Sequence, residues 1–184
     1  PVSSMLPEVR DLLAHHDARA TFFVMLDGCR EIPSEAIVSL LEAGHELGNH
    51  LIADRPYHED SEVEFEQALC QAQETLSGWM GRSPRWFRAP HGKISPTMEQ
   101  VLARHSLTNA MMDTYAHDPF VPDSGFVSRF LVNQATHGSI VLIHMPERGF
   151  REWNFLALSS LLQGLRAKGL KAVTLSELAD RAKK

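Results

Sequence analysis

Short apolar runs alternate with amphipathic helical segments along the whole chain. We predict strands over residues 20–26, 85–90, 107–113, 138–144 and 170–175, and a further strand in the segment 44–56, which ends in a turn. Between them, apolar residues at helical spacing predict helices over 6–16, 34–43, 61–78, 126–135 and 153–168, a helix opened by Ser95-Pro96, and a short terminal helix. This alternation predicts parallel strands joined by right-handed crossovers, in an α/β barrel or an open doubly wound sheet.

Some local details follow from the same patterns. The run 20–26 is continuously apolar, which is typical of a strand buried on both faces, and 138–144 is the clearest buried strand in the chain. Ser34 is expected to cap the second helix, and residues 115–125 are expected to form a loop. No glycine-rich phosphate loop follows a predicted strand, so nothing supports the dinucleotide-binding form of the open sheet.

Composition excludes several functional classes. The 184 residues are 43% hydrophobic and 22% charged, which fits one globular domain over 1–184. The formal net charge of -5 gives no basic surface for nucleic acid. No run of about eighteen apolar residues predicts a transmembrane helix, and the start of the chain does not resemble a signal peptide. Compartment and oligomeric state are left open.

The segment 44–56 carries the first candidate site. It begins as a strand and ends in a turn, and it places His50 and Asp54 near the strand's carboxyl end. Imidazole and carboxylate together suit a borderline divalent ion such as zinc. The alternative is that His50 is an ordinary hydrogen-bonded histidine and Asp54 caps the next turn. Taken alone, the His50–Asp54 spacing favours this alternative over a metal site. The choice between the two depends on the other residues of the chain.

Other titratable residues also follow predicted strands. Arg88 and His91 come at the end of the strand 85–90, Asp113 and Asp118 after the strand 107–113, and His144 ends the strand 138–144. In parallel α/β folds the carboxyl ends of the strands lie at one edge, where active sites form. We therefore expect these groups to converge on one active site.

Four ordered segments make this chain resemble a known family. They are ATFFV (20–24), GHELGNH (44–50), FRAPHG (87–92) and GSIVLIH (138–144). In order and spacing they resemble the NodB-homology polysaccharide deacetylases, carbohydrate esterase family 4. The resemblance implies a distorted (β/α) barrel, a divalent metal that is usually zinc, with cobalt, manganese or nickel as alternatives, and hydrolysis of N-acetyl groups on glycans that contain N-acetylglucosamine.

The resemblance also assigns roles to individual residues. His50 matches the first metal-binding histidine, and Asp54 stands where most members carry a second one. Arg88 matches the arginine that orients a catalytic aspartate, and a guanidinium fork suits that task. His144 matches the general acid that protonates the leaving amine. Leu142 is expected to line the pocket for the acetyl methyl group.

The chain departs from the family pattern at three places. The family's first motif, a strand ending in paired aspartates, is expected immediately before Pro1, so the barrel is expected to lack its first strand. A protein that truly began at Pro1 would then be inactive. His91 replaces a usual tyrosine, although its backbone N–H still suits an oxyanion. Asp113 and Asp118 match the family's fourth motif only loosely, and each either supports His144 or is a solvated loop residue.

Two classes of function remain open at this stage. The first is a hydrolase acting on an N-acetylated glycan of the chitin or peptidoglycan kind, or on another small amide. The second is a non-catalytic glycan-binding or degenerate domain, which the unusual Asp54 and the expected lack of the aspartate pair favour.

Overall fold

The computed structural model describes residues 3–183, with only the backbone at Ser3. Pro1, which carries the prediction about the aspartate pair, lies outside these residues. Contacts divide the chain into two compact units. One comprises residues 21–111, and the other combines the residues up to Ala20 with those from Met112 onward. The prediction of a single domain stays a prediction.

Seven helices and eight short strands are found between residues 3 and 183. In chain order they are β1 (Ser3–Ser4), α1 (Leu6–His15), β2 (Thr21–Val24), α2 (Ser34–Glu42), β3 (Glu46–Asn49), α3 (Glu62–Met80), β4 (Trp86–Phe87), α4 (Pro96–Arg104), β5 (Thr108–Asn109), β6 (Thr114–Tyr115), α5 (Ser124–Gln134), β7 (Val141–Leu142), β8 (Glu147–Arg148), α6 (Trp153–Ala167) and α7 (Leu175–Arg181). No helix in this part of the chain combines the length and the apolar character needed to cross a membrane.

The unit 21–111 is built on a parallel sheet. Its strand order is β2-β3-β4-β5, and every neighbouring pair runs parallel. All four residues of β3 are buried, as expected for an inner strand. Side chains from the end of β3, from β4 and from α3 and α4 form the core beside the sheet, including Leu51, Phe65, Phe87, Met98 and Val101. The predicted βα alternation is confirmed in this unit.

Helix α3 begins at a complete capping box. The hydroxyl of Ser61 accepts a hydrogen bond from the Glu64 backbone N–H, and the Glu64 carboxylate accepts one from the Ser61 backbone N–H. Two N–H groups that have no partner within the helix are thereby satisfied. At the other end, Gly81 adopts a left-handed conformation (φ 64°), and the helix ends there.

The other unit holds two separate strand pairs and a close helix pair. Strand β1 pairs antiparallel with β8, and β6 pairs parallel with β7. Helices α5 and α6 pack against each other at Gly164, where a Cβ atom would lie 2.5 Å from the Val132 side chain. Because glycine has no Cβ, the two helices can approach this closely.

Several predicted strands are shorter than their apolar runs. Only Val141–Leu142 of the run 138–144 pairs as a strand, and both residues are half-buried. The run 107–113 contributes only Thr108–Asn109. Residues 170–174 are not a strand, although Ala172 accepts one hydrogen bond from the Arg19 backbone N–H. Apolar character reports burial, whereas a strand also needs a ladder of backbone partners.

Three further predictions need correction. Strand β2 is not buried on both faces: only Val24 is buried, because β2 lies at the edge of the four-stranded sheet with one neighbour in it. Ser34 is the first residue of α2 rather than its cap, since Pro33 precedes the helix and no side chain caps it. The expected loop 115–125 begins inside β6.

We expect Ser61→Ala to lower the free energy of unfolding by about 1 kcal/mol, because one N–H of the first turn of α3 loses its acceptor. Urea denaturation followed by circular dichroism measures the change. Ser83→Ala is the matched control, since Ser83 is exposed in the connection after α3 and should change stability by less than about 0.5 kcal/mol. Equal stabilities for the two variants would contradict the prediction.

Candidate active site

His50 lies directly after β3, and its ring is held in one orientation. Its Nδ1 donates a hydrogen bond to the backbone carbonyl of Arg88 at 2.7 Å, and its backbone N–H donates to the carbonyl of Val24 at 3.1 Å. A carbonyl only accepts, so the proton is on Nδ1 and Nε2 is the unprotonated ring nitrogen. A histidine held in this way presents Nε2 to a metal, as metal-binding histidines commonly do.

Asp54 and His91 contact each other at the surface of the same unit. Nε2 of His91 lies 3.1 Å from Oδ1 of Asp54, and the two side chains are 46% and 80% exposed. An exposed pair of this kind contributes about 0–1 kcal/mol, so the Asp54 carboxylate can leave it at little cost. The residues at both positions differ from the family pattern, and the structure brings them together.

Arg88 is a buried guanidinium that lacks a carboxylate partner among residues 3–183. It is 7% exposed, and its Nε donates to the carbonyl of Ala110 at 2.8 Å. The guanidinium lies 4.1 Å from the centre of the Phe23 ring. Burial lowers the pKa of Arg88 to about 10. Buried charges are normally paired, so this arginine is suited to holding an anionic group.

Gly48 permits the ring stacking beside Arg88. Phe23 on β2 is in register with Gly48 on β3, and a Cβ atom at Gly48 would lie 2.6 Å from the Phe23 ring. The ring therefore lies directly over the glycine. From there it contacts the Arg88 guanidinium and packs edge-on against His50, with ring centres 6.3 Å apart. Gly48, the second glycine of the GHELGNH segment, thus allows the Phe23 ring to pack against two predicted site residues.

The donors in this unit fit part of a divalent metal site. Nε2 of His50 and the carboxylate of Asp54 are the kinds of donor that zinc accepts. In the part of the chain that the structure describes, no group of three His, Cys, Asp or Glu side chains is arranged to hold a metal ion. His50 and Asp54 therefore remain a predicted partial ligand set.

In the unit that contains residues 112–183, His144 contacts a buried carboxylate. Asp118 is 0% exposed, and its Oδ1 lies 3.1 Å from Nδ1 of His144. Its Oδ2 accepts a hydrogen bond from the backbone N–H of His144 at 2.8 Å. Nδ1 donates to the carboxylate, so Nε2 is the nitrogen available for proton transfer. Of the two aspartates proposed to support His144, Asp118 does so.

Asp113 is engaged elsewhere. Its carboxylate accepts hydrogen bonds from the backbone N–H of Ile140 and from the Thr114 hydroxyl. It therefore bridges β6 to the segment before β7 and does not contact His144. The alternative that Asp118 is a solvated loop residue is wrong, because its side chain is fully buried. Leu142, on β7, is half-buried.

Two residues at the start of α6 complete the surroundings of Asp118, and the sequence analysis did not assign them. The side-chain amide of Asn154 donates to Asp118 Oδ2 at 2.6 Å, and the indole N–H of Trp153 donates to the Asp118 backbone carbonyl at 3.0 Å. No sequence motif marks Asn154, because its partner is 36 residues away.

Tyr115 also lies near His144, with ring centres 6.0 Å apart. Burial, and then the charge of Asp118, raise the pKa of Tyr115.

A cavity of about 290 Å³ lies in the same unit between the ends of α1 and α6. His15, His16, Arg166 and Lys171 line it, and none of the predicted site residues does. The predicted site residues therefore lie outside this cavity.

Each unit contains parallel strands followed by titratable residues, which is typical of an α/β protein. The family model for polysaccharide deacetylases matches residues 1–110. A chitooligosaccharide deacetylase from Azorhizobium caulinodans is 31% identical over 92% of this chain and 85% of its own length. The chain belongs to the polysaccharide deacetylase family.

Another relative is a peptidoglycan-N-acetylglucosamine deacetylase from Bacillus cereus, which is 24% identical over 100% of this chain. The chain spans 66% of that relative, and only 36% of a peptidoglycan-N-acetylglucosamine deacetylase from Listeria monocytogenes that is 28% identical over 97% of this chain. Both of these relatives are therefore longer proteins than this chain.

Solved structures confirm the predicted fold class. A carbohydrate esterase family 4 pseudoenzyme from Bacillus anthracis has a TM-score of 0.84 and 22% identity, over 94% of this chain and 59% of its own. A family 4 acetyl xylan esterase from Clostridium thermocellum, in complex with a cobalt ion, has a TM-score of 0.80 and 23% identity. The match covers 95% of this chain and 83% of the esterase chain. Both likenesses show the α/β fold of the polysaccharide deacetylase type.

We expect Gly48→Ala to lower the free energy of unfolding by about 2 kcal/mol, because the new methyl group overlaps the Phe23 ring, which Arg88 covers on another side. Urea denaturation measures the loss. Gly78→Ala is the matched control: it lies in α3 with nothing within 4 Å of an added Cβ. The control should be neutral or slightly stabilising. A Gly48 variant as stable as the control would contradict the close contact.

We expect Arg88→Met to raise the free energy of unfolding of this chain by about 1 kcal/mol, because it removes a buried charge that has no carboxylate partner among the described residues. The measurement is urea denaturation at neutral pH. Arg82→Met, at an exposed position, is the control and should change stability by less than about 0.5 kcal/mol. A clear loss of stability in Arg88→Met would show that its hydrogen bond and ring contact outweigh desolvation.

Proposed function

We propose that the chain is a single NodB-homology domain over 1–184 that acts as a metal-dependent hydrolase. Its substrate would be a chitin- or peptidoglycan-like glycan, from which it removes the acetyl group of N-acetylglucosamine. The observation that carries the proposal is the buried Asp118 carboxylate against Nδ1 of His144. The named activities of the relatives and the family membership supply the substrate class.

His144 is proposed to be the general acid. Hydrolysis adds the oxygen of water to the acetyl carbon, breaks the bond from that carbon to nitrogen, and leaves acetate and an amine. The departing nitrogen needs a proton, and Nε2–H of His144 supplies it while Nδ1–H stays bonded to Asp118. The buried carboxylate keeps the ring in this orientation during the transfer.

His50 and Asp54 are proposed to hold the metal, with zinc first and cobalt, manganese or nickel as alternatives. A bound divalent ion would polarise the acetyl carbonyl and make the attacking water more acidic. His50 contributes Nε2, because Nδ1 is bonded to the Arg88 carbonyl. Having one imidazole and one carboxylate here makes the donor set harder than a pair of histidines, and so less selective for zinc.

Three further residues have supporting roles in the proposal. Arg88 holds the carboxylate of the catalytic base, which the family resemblance expects just before Pro1. The backbone N–H of His91 donates to the oxyanion, and Leu142 contacts the acetyl methyl group. The buried guanidinium without a carboxylate partner among residues 3–183 supports the role of Arg88.

Two alternatives keep specific support. The same fold and residues are suited to hydrolysing another small amide. A non-catalytic glycan-binding domain is favoured by the lack of a three-residue metal group among residues 3–183 and by the pseudoenzyme of the same fold.

The test is acetate release from N-acetylglucosamine oligomers together with metal content by elemental analysis, on the gene product that includes the residues before Pro1. We expect about one divalent ion per chain and release of acetate. His144→Ala should lower turnover at least about 100-fold and keep the metal, because it removes only the proton donor. His50→Ala should lose both the metal and the activity.

His137→Ala is the matched control, since His137 is an exposed histidine outside both groups of site residues. It should keep both metal and turnover. Equal metal loss in His50→Ala and His144→Ala would contradict the division of roles. Metal without acetate release would favour another amide, and neither metal nor acetate release in the folded protein would favour the non-catalytic domain.

A further inference from the structure

Asn154 makes two hydrogen bonds with a single side-chain nitrogen, and both go to the His144–Asp118 pair. Its Nδ2 donates to Oδ2 of Asp118 at 2.6 Å and to the backbone carbonyl of His144 at 3.0 Å. The residue is 0% exposed. One amide group therefore joins the side chain of the carboxylate to the main chain of the histidine that it supports.

The carboxylate of Asp118 is fixed by its donors. Oδ2 accepts from the His144 backbone N–H and from Asn154, and Nδ1 of His144 lies 3.1 Å from Oδ1 and 3.2 Å from Oδ2. Trp153 holds the backbone of Asp118 through its indole N–H. Asn154 therefore supplies the shortest of the hydrogen bonds that hold the carboxylate.

The alternative is that Asn154 is simply a polar residue satisfied within the core, but its environment argues against this. Its Oδ1 is buried and has no hydrogen-bond partner in the described structure. A buried acceptor without a partner costs about 1–3 kcal/mol, and asparagine is also a weak helix former. A leucine of similar size would avoid both costs. The two donated hydrogen bonds therefore explain why an asparagine occupies this buried position.

We propose that Asn154 is a positioning residue, which orients the Asp118 carboxylate and thereby holds His144 as the Nδ1–H tautomer with Nε2 directed away from Asp118. The proposal rests on the proposed function only for its kinetic consequence. The tautomer of His144 is a property of the folded chain and can be measured without a substrate.

The experiment compares two variants at this position with a destabilised control on the same helix. Asn154→Leu keeps the volume and removes the donor. Asn154→Ala also removes the donor and adds no bulk at this buried position, so it tests the same contact if the leucine variant does not fold. Leu161→Ala is the control, because it opens a cavity at a buried position of α6 without contacting Asp118 or His144.

The first readout is the ring tautomer of His144, from long-range ¹H–¹⁵N correlation spectra assigned by the signals that His144→Ala removes. We expect the native protein and Leu161→Ala to show the Nδ1–H form, and both Asn154 variants to lose it in part or entirely. The second readout is kinetic: kcat should fall about 10- to 100-fold while KM changes less than about twofold.

The outcomes separate this proposal from the proposed function. A native protein that releases no acetate overturns the function, but a tautomer change in the Asn154 variants would still support positioning. A folded Asn154 variant with the native tautomer overturns the positioning role, whatever the activity. A tautomer change of the same size in Leu161→Ala would also overturn it, because general loss of packing would then explain the effect.

Discussion

The register between β2 and β3 is the constraint on which the unit 21–111 depends. Phe23 lies opposite Gly48, and the ring covers the glycine because no side chain stands in its place. The same ring contacts the Arg88 guanidinium and the edge of His50. A shift of one residue in this register would place Phe23 on the other face and remove the packing of both site residues at once.

Each unit contains a buried charged group, Asp118 in one and Arg88 in the other, and the two groups are stabilised in opposite ways. Asp118 is surrounded by donors from the protein: a backbone N–H, an imidazole and an amide. Arg88 has one backbone carbonyl and an aromatic face, and burial lowers its pKa. Residues 3–183 therefore supply hydrogen-bond donors to both oxygens of the Asp118 carboxylate. The Arg88 guanidinium still has N–H donors that could bind an anionic group. The first arrangement stabilises a charge within the fold, and the second is suited to binding a further group.

The sequence was sufficient to predict the βα alternation and to name Asp118 as one of two candidates to support His144, but not to choose between them or to predict the lengths of the strands. Helix α3 was predictable because the capping box and the apolar spacing lie within the helix itself. Strand β7 is short because pairing depends on partners elsewhere in the chain, which an apolar run does not encode. The Asp54–His91 contact and the role of Asn154 join residues 36 or 37 positions apart, so no local pattern marks them.

Helix α6 connects two features that lie at opposite ends of it. Gly164, near its carboxyl end, sets how closely the helix lies against Val132 of α5, and Asn154, in its first turn, donates to Asp118. A helix is stiff over this length, so a sideways displacement at one end tilts the other. The tolerance of the chain to mutation at the α5–α6 contact is therefore limited by a hydrogen bond of 2.6 Å as well as by packing. Substitutions near Gly164 would therefore be selected for their effect on the Asn154–Asp118 hydrogen bond at the other end of α6, and not only for packing.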